Sequence, residues 1–140
     1  MIVQPNSNKD PLHRACSDLL LLLWKDAVTE FSYQASIAEL ATTMSNSDIG
    51  LGLRVNGFDH KLQALCKELL TVLLSFAGRS SSDGLPSMIN ERRFDACVEI
   101  LRRRYTNAGM QPSSMSTNVR LECLRAESWS CTSKVSFMCK

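Results

Sequence analysis

The segment Gly50-Leu51-Gly52-Leu53-Arg54-Val55-Asn56-Gly57 decides the fold class, because it alternates with a period of two in a chain otherwise patterned for helices. Such alternation is typical of a half-buried strand. The turn-rich residues 45–48, Ser-Asn-Ser-Asp, precede it, and across them Ala41–Met44 is expected to pair as an antiparallel partner. Two strands alone are marginally stable, so this hairpin is expected to belong to a larger antiparallel sheet.

A long helical pattern precedes the hairpin. Asp10 is a capping residue and Pro11 suits the first helical position, and no further Gly or Pro occurs before Gly50. The sequence therefore predicts one long helix, or two abutting helices, to about Leu40. The apolar residues at helical spacing are Leu12, Cys16, Leu19, Leu23, Ala27 and Phe31. The run from Leu19 to Trp24 is apolar on every side, which predicts cover on several sides and favours a fragment or a domain with an obligate partner.

Two amphipathic helices are predicted after the hairpin. The first begins at Asp59 and ends near Gly78, and the second begins at Asn90 and ends at residues 107–109. Their apolar stripes are Leu62, Leu65, Cys66, Leu69, Leu73 and Phe76, and Phe94, Cys97, Val98, Leu101 and Tyr105. Each stripe recurs at spacings of three and four, as the buried face of a surface helix does. The Ser/Gly/Pro-rich residues 78–88 between them are expected to form a mobile loop.

Pro112 is expected to open a last helix, with Met115, Val119, Cys123 and Ala126 facing inward. Beyond Cys131 the helical pattern is lost, and the chain shows no internal repeat. The predicted order is a long helix, a β-hairpin that contributes to an antiparallel sheet, and then three helices. This order indicates an α+β fold.

Composition excludes several classes of function. The 140 residues suit one domain, and 16 basic against 14 acidic residues leave a net charge of +2, which gives no general attraction to nucleic acid or an anionic membrane. The longest apolar run is far too short to span a bilayer, and the polar first ten residues carry no signal-peptide core. Six cysteines without a Cys-x-x-Cys pair favour free thiols in a reducing, cytoplasmic compartment over a disulfide framework. The first four cysteines lie in apolar patterns and are expected to be buried.

The sequence offers no convincing catalytic, cofactor-binding or metal-binding residues. The two histidines, His13 and His60, are 47 positions apart, so they cannot form a His-x-x-Glu-His zinc motif. His13 and Cys16 could place two ligands on one helix face, but a surface histidine beside a core cysteine explains them more simply. No nucleophile elbow or phosphate-binding glycine loop is present.

Two sets of charged residues could be functional or could simply face the solvent. Asp26 and Glu30, four residues apart, could perform acid–base chemistry in a cleft, but solvent exposure or pairing with Lys25 or a neighbouring domain is favoured. Arg102–Arg104, which follow Arg92 and Arg93 on the same predicted helix, could contact phosphates. A solvated or domain-facing basic flank is favoured instead.

Three ordered blocks of residues resemble the middle, or third, domain of the insulinase family of zinc metallopeptidases. The first block is residues 22–35, Leu-Leu-Trp-Lys-Asp-Ala-Val-Thr-Glu-Phe-Ser-Tyr-Gln-Ala, followed by Ser-Ile-Ala-Glu-Leu at 36–40. The second is residues 50–62, from the glycine of the alternating strand through Gly57-Phe58 to Lys61-Leu62. The third consists of Phe94, Arg104-Tyr105-Thr106-Asn107, and Pro112 with Arg120-Leu121.

The resemblance covers residues 10–129, with 1–9 as a flexible lead-in and 130–140 as an unassigned tail. It implies half of a metallopeptidase-like α/β roll and a non-catalytic role in a peptide-enclosing chamber. It also implies that the zinc and the catalytic residues lie elsewhere in a parent enzyme. The expected partners are the other domains of that enzyme and its peptide substrate, with neither nucleic acid nor membrane. The alternatives are a freestanding helical interaction module that uses the surface of residues 19–24, and, with least support, an independent enzyme.

Overall fold

The computed structural model of the protein describes residues 2–3, 9–47, 50–76, 90–125 and 128–138. Within these residues the fold is α+β, as predicted, and mostly helical. The elements in chain order are β1 (Ile2–Val3), α1 (Pro11–Ala27), α2 (Thr29–Ile37), β2 (Ala41–Ser47), β3 (Gly50–Asn56), α3 (Asp59–Phe76), α4 (Glu91–Asn107), α5 (Pro112–Leu124) and α6 (Cys131–Met138). The predicted loop over residues 78–88 lies outside the described residues.

The sheet confirms the predicted hairpin and enlarges it by one strand. However, β2 continues through Ser47, so the turn predicted over residues 45–48 is wrong for residues 45–47. β2 pairs with β3 in an unbroken antiparallel register from Ala41–Asn56 to Ser47–Gly50. β1 pairs antiparallel with the other edge of β3, so the strand order is β1-β3-β2. The sequence predicted no strand in residues 1–9, because a two-residue strand shows no alternation and its partner lies almost fifty residues along the chain.

The larger core lies between one face of the sheet and helices α1, α2 and α3. Its buried members are Trp24, Val28, Ala35, Leu40, Leu65 and Leu69. Leu69 is completely buried, and its carbonyl accepts a hydrogen bond from the Trp24 indole nitrogen at 3.4 Å. A buried indole N–H needs such a partner, so this bond fixes the contact between α1 and α3. The apolar residues predicted to form one face of α3 are the ones that pack into this core.

A second, smaller core lies on the opposite side of α1. There α4 contributes Leu101 and Tyr105, which pack with Ala15 and, less completely, with Leu19 and Leu22. The stripe predicted for α4 is confirmed, with Cys97, Leu101 and Tyr105 buried. Helix α6 also packs against α1 and α4. The leucine-rich run of α1 therefore receives cover on several sides from this chain itself.

The face predicted for the first helix is partly wrong. Leu12, Cys16 and Phe31 are exposed, whereas Ala15 and Trp24 are buried. A helix packed between two layers buries parts of two faces, so a single stripe does not describe it. The helical pattern is also divided: α1 ends at Ala27 and α2 begins at Thr29, which confirms the alternative of two abutting helices.

The C-terminal third differs most from expectation. Helix α5 begins at Pro112 as predicted, but none of its residues is buried. Met115 and Val119 are 52% and 49% exposed and Cys123 is exposed, so the predicted inward face is wrong for these residues; Ala126 lies outside the described residues. Helix α6 was not predicted at all, because its eight residues lack an amphipathic period.

The linker from α2 to β2 packs closely against Gly57, which lies on the other side of the hairpin. Glu39 adopts a left-handed backbone conformation (φ 58°) at the end of α2, and the Leu40 amide donates to the carbonyl of Ala35. Gly57, which follows β3, has a φ of +152°, and a Cβ added there would collide with Leu40. Glycine is required at this position because the chain passes so close to the buried leucine.

Candidate functional site

The histidines and cysteines do not assemble a metal site within the described residues. His13 is exposed, and its Nδ1 lies 3.3 Å from the Asp10 carboxylate. Cys16 is exposed as well, and His60 lies exposed at the start of α3. The described ranges contain no group of three or more His, Cys, Asp or Glu side chains that could hold a metal ion. The arrangement at His13 is therefore a surface contact between two side chains at the beginning of a helix.

Asp26 and Glu30 do not form a paired acid–base site. They lie on different helices, because α1 ends between them, and both are exposed. One Asp26 carboxylate oxygen lies 3.4 Å from a guanidinium nitrogen of Arg93 on α4. The two side chains are 47% and 62% exposed, so this ion pair contributes little to stability. It links α1 to α4 within the chain.

The basic run on α4 is a solvated helix flank in which two arginines are paired. Arg103 donates to the Glu99 carboxylate at 2.8 Å, and Arg102 lies 3.9 Å from the other oxygen of the same group. Residues 102–104 are all exposed. Pairs at spacings of three and four on an exposed helix face are worth a few tenths of a kcal/mol.

A partly buried polar network was missed by sequence reasoning, and it is centred on Asp18. One carboxylate oxygen of Asp18 accepts from the Tyr105 hydroxyl at 2.6 Å, and the other accepts from the Asn46 side-chain nitrogen at 2.7 Å. The Arg14 guanidinium lies 3.8 Å from the carboxylate and donates to the carbonyls of Asn46 and Ser47 at 3.5 and 3.3 Å. The network joins α1, the turn end of β2 and the end of α4.

Burial and hydrogen bonding make Tyr105 a neutral donor in this network. Burial is the largest cause that raises the pKa of the Tyr105 hydroxyl, and its bond to the Asp18 carboxylate raises it further. The ammonium of Lys134 on α6 lies 5.5 Å from the centre of the Tyr105 ring, so a cation covers one side of the same aromatic group. No local pattern marks these residues, since Asp18 and Tyr105 are 87 positions apart.

Cys97 is the buried thiol of α4. Burial raises its pKa, and the charge of Asp26 raises it further. A thiol with a raised pKa holds its proton and reacts slowly, so Cys97 has the character of a structural core residue rather than a nucleophile. The five cysteines that the structure describes are all free; Cys16 and Cys123 are exposed, so these two are not the buried residues that were predicted.

Two open grooves mark the surfaces where this chain could receive another polypeptide. The β2 groove has a volume of about 490 Å³ and lies between the α1–α2 helical layer and strand β2. The α5 groove, of about 420 Å³, lies between α5 and the adjoining parts of α4 and α6. Met115 and Val119 line the α5 groove and remain half exposed in it. Met110 and Leu124, near either end of α5, are 74% and 75% exposed.

Comparison with known proteins gives a consistent set of similarities. The sequence profile described as the middle or third domain of peptidase M16 matches residues 1–136. The chain is 34% identical over 122 residues to a nardilysin-like protein of Arabidopsis thaliana, a match that covers 87% of this chain and 11% of that protein. It is 27% identical over 133 residues to nardilysin of Rattus norvegicus, covering 95% of this chain and 10% of the relative. It is 30% identical over 103 residues to human insulin-degrading enzyme, a match that covers 74% of this chain and 9% of that enzyme. The chain thus spans about a tenth of the length of these relatives.

Proposed function

Because the chain belongs to the family of the middle or third domain of the M16 peptidases, we propose that it is a non-catalytic part of a peptide-enclosing metallopeptidase. The observation that supports this role best is helix α5, which buries none of its own residues and flanks an open, partly apolar groove. Apolar side chains left exposed together mark a surface for association. The proposed partner is a neighbouring domain of the parent enzyme, and the residues from 10 to 129 are its middle-domain region.

In this proposal the zinc and the catalytic residues belong to other parts of the parent, which cleaves peptides. The described residues of this chain contain no cluster that would fit the metal. The role left to the chain is to form chamber wall and to hold the second half of the enzyme. A reducing, cytoplasmic location suits its free thiols.

The alternative of a freestanding interaction module that uses residues 19–24 has a smaller surface available to it than the apolar run suggested. Leu23 and Trp24 are buried, and Leu19 and Leu22 pack against the second core. Leu21, in contrast, lines the open β2 groove, so this part of the run stays accessible. No helix in the described part of the chain has the length and hydropathy of a bilayer span.

The test places a charge in the α5 groove of the full-length protein that contains this chain. Val119→Lys removes an apolar contact and puts an ammonium where a neighbouring domain would bury it, so we expect peptide hydrolysis to fall at least tenfold. Ser116→Lys is the matched control, since Ser116 is exposed on the same helix outside the groove. Zinc content should stay unchanged in both variants, because the metal is held elsewhere.

Amide exchange gives a second readout that does not depend on activity. The α5 amides should exchange at least tenfold more slowly in the full-length protein than in the 140-residue chain, because docking covers them. The proposal fails if Val119→Lys and Ser116→Lys behave alike and α5 exchanges equally fast in both contexts. It also fails if the chain by itself binds stoichiometric zinc and hydrolyses peptides.

A further inference from the structure

The end of strand β3 carries a chemically reactive pair of residues. The sequence contains one Asn-Gly pair, Asn56-Gly57, and Asn56 is the last residue of β3. It faces Ala41 in the final pair of the hairpin, and both Asn56 and Gly57 are exposed. Asparagine is among the thermolabile residues, and a following glycine leaves the side-chain amide carbon open to attack by the next backbone nitrogen. The pair is therefore a candidate site of covalent modification.

The packing of the chain requires the glycine of this pair. A Cβ added at Gly57 would collide with the Leu40 side chain and lie 3.1 Å from the Leu40 Cα and 3.2 Å from the Glu39 carbonyl oxygen. The φ of +152° at Gly57 is also one that residues with a side chain rarely adopt. A larger residue, which would shield the neighbouring asparagine, does not fit there.

The two groups that must react are both free of hydrogen bonds in the part of the chain that the structure describes. Neither the Gly57 N–H nor the Asn56 side-chain amide has a partner there. Asn46 provides the contrast, because its side-chain nitrogen donates to the Asp18 carboxylate at 2.7 Å. An amide held in this way resists the rotation that the reaction needs, whereas the Asn56 amide does not.

The position of Asn56 in the strand determines how often it can react. An extended backbone holds the side-chain carbon of Asn56 away from the Gly57 nitrogen, so the peptide plane between them must rotate before attack. That rotation requires the last pair of the hairpin, Asn56 with Ala41, to open. Terminal pairs open at a small free-energy cost, far below that of global unfolding. The folded chain should therefore react more slowly than the unfolded chain, but still at a measurable rate.

We propose that Asn56 is a site of spontaneous deamidation, with water as the co-reactant. The Gly57 nitrogen loses its proton to a base in the solvent and attacks the Asn56 Cγ, so that a new C–N bond closes a five-membered imide. The bond from Cγ to Nδ2 breaks, and the nitrogen takes up a proton and leaves as ammonia. Water then opens either carbonyl of the imide, which gives aspartate or isoaspartate at position 56. The balance is one water consumed and one ammonia released, without oxidation or reduction.

The isoaspartate product changes the main chain where it is most tightly packed. In this product the backbone runs through the former side chain, so one methylene group is inserted between β3 and α3. The insertion lies beside Gly57, which has no spare room against the buried Leu40. Both products also add one negative charge to a chain whose net charge is +2. The reaction therefore gives the folded domain an intrinsic ageing site at the open end of its hairpin.

The test incubates the folded 140-residue chain at neutral and at mildly alkaline pH and follows each asparagine by peptide mapping and mass spectrometry. We expect position 56 to convert at least about tenfold faster than Asn46 or Asn107, because Asn46 is hydrogen-bonded and neither is followed by glycine. Conversion at position 56 should accelerate at the higher pH, because the attacking nitrogen must lose its proton. Enzymatic methylation specific for isoaspartate should identify the rearranged product.

Two variants separate the modification from its consequences. Asn56→Gln should remain unmodified at this position, because its longer side chain would have to close a less favourable six-membered ring. Asn56→Asp supplies the charge without the inserted methylene, and its Tm should stay within about 2 °C of the parent chain. The purified isoaspartate form should melt at least about 4 °C lower and show faster amide exchange at Leu40 and Ala41.

Three results would overturn the inference. They are an Asn56 that converts no faster than Asn107, conversion that occurs in urea but not in the folded chain, and a rate at position 56 that does not change with pH. An isoaspartate form as stable as the parent would refute the proposed effect on the hairpin. None of these results depends on the α5 groove, so they leave the proposed function to its own test.

Discussion

Removal of one hydroxyl from the Asp18 network should destabilise the protein measurably. Tyr105 is 8% exposed and donates to the Asp18 carboxylate at 2.6 Å, and the side chain of Asp18 is 22% exposed. A hydrogen bond to a charged group contributes about 1.5 to 3 kcal/mol, and partial access of water to Asp18 reduces the loss. We therefore expect Tyr105→Phe to lower the free energy of unfolding by about 1 to 2 kcal/mol, with a fall in Tm of about 3 to 8 °C.

The assay is urea and thermal unfolding followed by tryptophan fluorescence, since Trp24 is buried in the larger core. Tyr33→Phe is the control, because Tyr33 is 69% exposed, and it should change stability by less than about 0.5 kcal/mol. A double-mutant cycle with Asp18→Asn should show coupling between positions 18 and 105 of about 1 kcal/mol or more. If the two tyrosine variants are equally stable, or the cycle shows no coupling, the assigned role of the network is wrong.

The pH dependence provides an independent check on the same bond. The pKa of Tyr105 is raised in the folded state, so the folded protein keeps this proton after the unfolded chain has lost it. The contribution is therefore complete below about pH 10, the ordinary value for tyrosine, and declines as the pH rises above it. Tyr105→Phe should lack that part of the alkaline decline. The contribution of Cys97, whose pKa is also raised, remains in both proteins and cancels in the difference.

Three further predictions concern the core and the turns. Leu69→Ala should lower the free energy of unfolding by about 2 to 5 kcal/mol because Leu69 is completely buried, whereas Leu70→Ala, at a residue 36% exposed, should lose much less in the same urea titration. Gly57→Ala should lower the stability by about 1 to 3 kcal/mol, because the added Cβ meets a buried leucine and the backbone conformation is strained; a Tm equal to that of the parent chain would contradict this. Cys97 should react with a thiol reagent far more slowly than the exposed cysteines of α1 and α5, and equal rates in the native protein would show that α4 is not packed as described.

The described part of this chain has two open grooves that differ in the contacts they could make. The two open grooves lie on different elements, one beside strand β2 and one beside a helix that buries nothing of its own. The β2 groove offers serine and threonine hydroxyls, and the helix offers apolar area.

The sequence by itself determined the elements whose signals are local. The period of two in residues 51–55 predicted the hairpin, and the stripes of α3 and α4 predicted which faces are buried. The sequence also predicted Asn90 as the N-cap of α4, and its side chain accepts a hydrogen bond from the Arg92 amide at 3.2 Å. These features depend on neighbours within a few positions, so one-dimensional spacing is enough to recognise them.

Only the tertiary structure decided which face of α1 is buried, where β1 pairs, and that Asp18, Asn46 and Tyr105 meet. These contacts join residues 28 to 87 positions apart, and no local period encodes such distances. The run of leucines in α1 was compatible with several orientations, and packing between two layers selected one. Helix α6 and the open groove beside α5 likewise depend on what packs against them, because a short or weakly amphipathic segment takes its structure from its surroundings.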